Sequence, residues 1–147
     1  MERFSKLLLL LREVSLLIQA TSLLAAIRLG LRVLPFGTVR TLLARLARTG
    51  RGTNGQGDGA ARARTVWAVE TAGRHFPAIG TCLTQALAIH VLLARQGCKS
   101  ILRIGVKRDT DGKFIAHAWL EKDGVILIGD AGHESYAPMP GLNGLEP

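Results

Sequence analysis

Apolar residues crowd the first third of the chain. Residues 7–11 and 14–34 are almost uninterrupted by charge, and Ser15, Gln19, Ser22 and Arg28 do not fall on one polar stripe. Such a pattern predicts helices covered on more than one side. Pro35-Phe36-Gly37 ends this unit, and Thr38 is placed to cap a further helix reaching residue 47. From residue 49 to 59 glycine recurs at nearly every second position with no apolar residue, the pattern of a flexible linker. It has no Gly-Lys-Ser/Thr and follows no strand, so it does not read as a phosphate-binding loop. Residues 60–73 then predict a helix around Trp67, and His75-Phe76-Pro77 leads out of it.

The second half changes period. Thr81 is a capping residue before a helical run that opens on Cys82 and ends at Gly97. Residues 100–107, 114–121 and 125–130 read as strands. The Asp123-Gly124 pair between the last two is a strong hairpin signal, because both turn positions want positive φ. A two-residue turn pairs Lys122 with Val125, Leu120 with Leu127 and His117 with Asp130. The expected organisation is an N-terminal helical region (1–48), a glycine-rich linker (49–63) and a catalytic domain (64–147). Its fold class is α+β, one helix presenting its N-terminus against an antiparallel sheet.

The candidate chemistry follows from that layout. Directly opposed residues of an antiparallel pair share a face with Cβ atoms roughly 4.5–5.5 Å apart. A carboxylate at Asp130 would then orient the imidazole of His117. Cys82 falls in a first helical turn, where free N–H groups and the positive end of the helix dipole favour a reactive thiolate. The same N–H groups can stabilise an oxyanion. Cys82, His117 and Asp130 together suggest a nucleophilic triad. Asp111 and Asp123 are the other nearby acids, but one falls in a loop and the other in the turn. Thr81, His75 and Trp119 are candidate substrate or oxyanion contacts, although Trp119 beside the base reads more simply as packing. His90, in an apolar helical stretch, reads as a satisfied core histidine, and Cys98 as a packing residue. His133 approaches the site only if its loop folds back. Gln85 lies one turn into the helix and points elsewhere, so a side-chain oxyanion donor is not identified. No Cys-x-x-Cys or His-x₃₋₅-His spacing supports zinc, and no cofactor is expected.

Composition narrows the class. The chain has 147 residues, enough for one modest core, with 48% hydrophobic residues and only 5% aromatics. Its two cysteines would sit about 24 Å apart along one helix, beyond disulfide reach and consistent with a reducing cytosol. The net charge of +8 admits nucleic acid, an anionic membrane or an acidic partner. Aromatic residues are too few for base stacking, and no recognition motif appears, so nucleic acid is not expected. Arg12, Glu13 and Gln19 sit wrongly for a signal peptide, and Gln19 and Arg28 interrupt the best spanning window. Buried or interfacial helices are therefore preferred to a transmembrane span.

Four stretches carry a family resemblance. Cys82-Leu-Thr-Gln-Ala-Leu-Ala, Leu92-Leu-Ala-Arg-Gln-Gly97, Arg103-Ile-Gly-Val-Lys107 and Phe114-Ile-Ala-His-Ala-Trp-Leu-Glu121 resemble the transglutaminase-like leader peptidases of lasso-peptide biosynthesis, and Trp67 fits the same pattern. In that family the protease half of the B protein is often a separate chain. The resemblance implies a papain/transglutaminase-like core and removal of the leader from a ribosomally made precursor, with Cys, His and Asp carried onto Cys82, His117 and Asp130. It further implies delivery of the precursor leader peptide by a small leader-binding recognition protein, with the lasso cyclase and exporter as further partners. The expected location is cytoplasmic, with peripheral membrane association through the apolar helices. Acyl transfer of the transglutaminase or amidase type, or a non-catalytic partner-binding scaffold, are the alternative functions on the same fold.

Overall fold

The computed structural model describes residues 1–50, 59–130 and 132–139. Among these, four α-helices precede a four-stranded antiparallel sheet: α1 (Glu2–Val33), α2 (Phe36–Arg48), α3 (Gly59–His75), α4 (Cys82–Arg95), β1 (Ile101–Arg108), β2 (Phe114–Lys122), β3 (Val125–Ile128) and β4 (Ala137–Pro138). The sheet order is β3-β2-β1-β4. This is the α+β layout expected from the sequence.

The two N-terminal apolar stretches form one continuous helix, since neither glycine nor proline occurs between Glu2 and Ile27. Leu34 leaves it in an extended conformation (φ −120°, ψ 149°), as a residue before proline favours. Pro35 then opens α2 three residues before the expected Thr38 cap. Residues 51–58 of the glycine-rich linker lie outside the described residues. Its last positions, 59–63, already belong to α3, because Ala60, Ala61, Arg62 and Ala63 are strong helix formers.

One apolar core runs from the helices to the sheet. Ala20, Leu24 and Ile27 contribute from α1, and Val39 and Leu43 from α2. Ala68, Val69 and Ala72 follow from α3, and Leu102, Ile104, Ala118 and Leu120 from β1 and β2. The spacings of three and four in the helices and two in the strands are those of single buried faces. Between these layers α4 is buried from Ala86 to Leu93. This core begins partway along α1; up to Ile18 the apolar side chains of that helix are largely exposed.

The hairpin forms at the predicted turn, with Asp123 at φ 51° and Gly124 at φ 76°. Its register corrects the expectation. Lys122 pairs with Val125 and Glu121 with Ile126, but a bulge follows and Leu120 pairs with Ile128 rather than Leu127. A bulge inserts one extra residue and shifts everything beyond it. Moreover, β3 ends at Ile128, so Asp130 is not opposed to His117. The chain instead turns at Gly129 and Gly132, both at positive φ. It passes through a single 3₁₀ turn (His133–Ser135) and adds β4 to the far edge of β1, pairing Gly105 with Pro138 and Val106 with Ala137.

Candidate active site

The loop before α4 is fixed by side chains from the helix it leads into. Thr81 caps α4, its hydroxyl accepting from the Thr84 amide at 3.4 Å. The Thr84 hydroxyl donates back to the Ile79 carbonyl at 2.5 Å. The Gln85 amide donates to the Gly80 carbonyl at 2.6 Å. Gly80 itself lies against Gly73 of α3, where a Cβ on Gly80 would collide with the Gly73 backbone. Gln85, which the sequence reading directs elsewhere, thus ties the approach loop to the helix. Cys82 emerges from this braced turn exposed. The cap satisfies the Thr84 amide and leaves those of Cys82 and Leu83 without an intrahelical acceptor.

His117 is held differently from the expectation. Its Nε2 lies 2.7 Å from the Gly129 carbonyl oxygen. A carbonyl can only accept, so Nε2 carries the hydrogen and the neutral ring keeps its basic lone pair on Nδ1. Trp119 stacks beside the imidazole at 6.1 Å between centroids, and Tyr136 covers it at 5.0 Å. Tyr136 reaches this position because Gly105 of β1 has no side chain: a Cβ there would come within 2.8 Å of the Tyr136 Cβ. Trp119 is 3% exposed and donates its indole N–H to Glu121 at 2.9 Å. It packs against the site from beneath rather than facing a substrate.

The other candidates separate. The Asp130 carboxylate lies 3.2 Å from His133 Nδ1 and is 81% exposed. This corrects its expected contact with His117, and the bulge and the early end of β3 are the cause. Asp123 sits in the turn beside Lys122, and Asp111 in the loop that the Asp109 carboxylate closes. His75 is exposed at the end of α3, its Nδ1 2.8 Å from the Thr71 carbonyl. His90 is 5% exposed and bonded to Ser100 at 2.9 Å, the satisfied core histidine the sequence suggested. Cys98 is buried.

Helix α4 and β2 meet in the core through Ala118 and Leu120, while His117 and Trp119 alternate to the other side of the strand. No hydrogen bond joins Cys82 to His117 among the described residues. Cys82, at the start of the helix on the Ala118 face, and His117, packed with Trp119 and Tyr136 on the other, are therefore not brought together in this structure. Sequence reasoning overlooked the Gly129 carbonyl, Gln85 and Tyr136. Of these, Tyr136 had a signal: an isolated glycine inside a strand, here Gly105, marks a close approach of another group.

A family model described as the transglutaminase-like superfamily matches residues 23–141. That span covers most of the chain, and the chain belongs to this superfamily. No curated protein and no solved structure matches it.

Proposed function

We propose that this chain, a member of the transglutaminase-like superfamily, is a cysteine peptidase that removes the leader from a ribosomally synthesised lasso-peptide precursor. The observation that carries this reading is an exposed thiol, Cys82, at the capped N-terminus of a helix packed on the strand that bears His117. The resemblance of residues 82–97 and 103–121 to the lasso leader peptidases supplies the substrate class.

This reading requires Cys82 to reach His117 in the substrate complex; the thiol proton then passes to His117 Nδ1 as the sulfur attacks the scissile carbonyl. The free amides of the first turn of α4 receive the oxyanion. Collapse expels the amine of the core peptide, which takes the proton from His117, and leaves the leader bound to Cys82 as a thioester. Water then adds to the thioester, giving a proton to His117. Hydrolysis releases the leader carboxylic acid and restores the thiol. The Gly129 carbonyl holds His117 in the tautomer that this sequence requires. An amine replacing the water would turn the same thioester into an acyl-transfer product.

Mass spectrometry of the precursor after incubation with this chain and a small leader-binding recognition protein tests the reading. Two fragments whose masses sum to the precursor plus one water are expected. The recognition protein should accelerate cleavage at least tenfold, and the acceleration should fall with added salt, because the basic surface steers an acidic partner or leader. A product joined to an amine would reassign the reaction to acyl transfer. An intact precursor with the partner present would contradict the peptidase reading.

A further inference from the structure

Through Ser15, no described side chain of α1 packs in the core. Phe4, the run from Leu7 to Leu11, Val14 and Ile18 each keep at least 51% of their surface exposed. Five consecutive leucines span more than a full helical turn, so the exposed apolar surface surrounds the helix instead of forming one face that a groove could cover. The family match begins only at residue 23, and the core begins at Ala20. The exposed segment therefore precedes both.

We infer that this segment inserts into one leaflet of an anionic lipid bilayer and holds the catalytic domain at the membrane surface. Length and charge select this occupant. The candidate spanning helix runs from Arg3 to Val33, but from Ala20 onward Ala20, Leu24 and Ile27 are buried against the rest of the protein. Leu16 and Leu17 already pack against the core, so the free part, residues 4–15, extends about 18 Å at 1.5 Å per residue. A hydrocarbon core is about 30 Å thick, so the segment is too short to cross it and long enough to enter one leaflet. Arg12 and Glu13 interrupt its apolar surface, where Arg12 can extend toward the headgroups.

The charge behind the segment has one sign. Between Glu13 and Asp58 the sequence has no acidic residue, while Arg28, Arg32, Arg40, Arg45 and Arg48 fall in that interval. The helix α2, with Arg45 and Arg48 in its last turn, returns along α1 and lines an apolar groove with it from Leu34 to Leu23. Leu46, between those arginines in sequence, lines the same groove as Leu23, so their end of α2 is the one nearer the free segment, where anionic headgroups would meet it. Basic residues near a membrane surface strengthen binding to anionic lipid and lose strength with salt.

Flotation of the full chain with vesicles tests the inference. Vesicles of phosphatidylcholine with roughly one third phosphatidylglycerol should carry the protein upward, at least tenfold more tightly than phosphatidylcholine alone. The variant Leu8→Gln/Leu11→Gln/Ile18→Gln changes only exposed positions and no charge, so circular dichroism should match the parent while flotation falls at least tenfold. The variant Arg45→Gln/Arg48→Gln should keep residual flotation but lose most of the preference for phosphatidylglycerol. A parent chain that does not float, or a triple variant that floats like the parent, would overturn the inference. So would a discrete dimer that the triple variant abolishes while neither protein binds vesicles, since the segment would then be covered by a second copy.

Discussion

Replacing Cys82 with alanine should abolish precursor cleavage, a loss of about four orders of magnitude or more, while leaving the fold unchanged. The thiol is exposed, so its removal opens no cavity. The bonds that fix the loop belong to Thr81, Thr84 and Gln85 rather than to Cys82. Cys98→Ala provides the contrast. That side chain is 3% exposed, and its truncation should cost about 1 kcal/mol of stability with turnover per folded molecule unchanged. Iodoacetamide at neutral pH should label Cys82 well before Cys98. Cleavage assays on both variants beside the circular dichroism of each check the prediction, and full activity in Cys82→Ala would remove the nucleophile from the account.

His117→Ala should cost about 10³–10⁴-fold in turnover, the usual scale for a general base. Asp130→Asn should cost at least tenfold less. A triad aspartate replaced by asparagine can lose about 10⁴-fold, because the imidazole is held in the wrong tautomer. Here the group facing His117 Nε2 is the Gly129 carbonyl, which cannot donate and keeps the ring in the required tautomer whatever stands at position 130. The Asp130 carboxylate meanwhile faces His133. Kinetics of the two variants under one set of conditions decide the matter. A loss in Asp130→Asn equal to that in His117→Ala would mean that the carboxylate leaves His133 and takes up the orienting role during catalysis.

Much of this arrangement was legible in the letters. Thr81 and Cys82 mark their helix start through capping chemistry, and Asp123-Gly124 mark the hairpin through positive φ; both are local signals and both appear where expected. The α+β class followed from the change of hydrophobic period at residue 100. Register beyond the turn was less accessible. Periodicity extrapolated from Lys122 and Val125 carried His117 onto Asp130, but a single-residue bulge between Leu120 and Glu121 shifts the pairing. A bulge leaves little trace in an apolar run such as Val-Ile-Leu-Ile. The return of residues 132–138 over His117 was equally hidden, because β4 is too short to show a period. Its determinants are Gly105, Gly129 and Gly132, whose role is to admit other groups or an unusual backbone turn. For α1 the sequence indicated apolar surface in need of cover on more than one side without saying which part the fold would cover. Packing decides that, and from Ala20 onward it buries one face of the helix, at Ala20, Leu24 and Ile27.

The central claim is that Cys82 forms the covalent bond to the leader. It is tested most directly by giving the enzyme a leader peptide whose scissile carbonyl is replaced by a vinyl sulfone, with the recognition protein present, and mapping the adduct by mass spectrometry. The account predicts one leader per chain, attached through a thioether to Cys82. In the His117→Ala variant attachment should be slower, because the thiol there has no base to take its proton. An adduct on Cys98, or an unmodified chain that still cleaves the natural precursor, would contradict it.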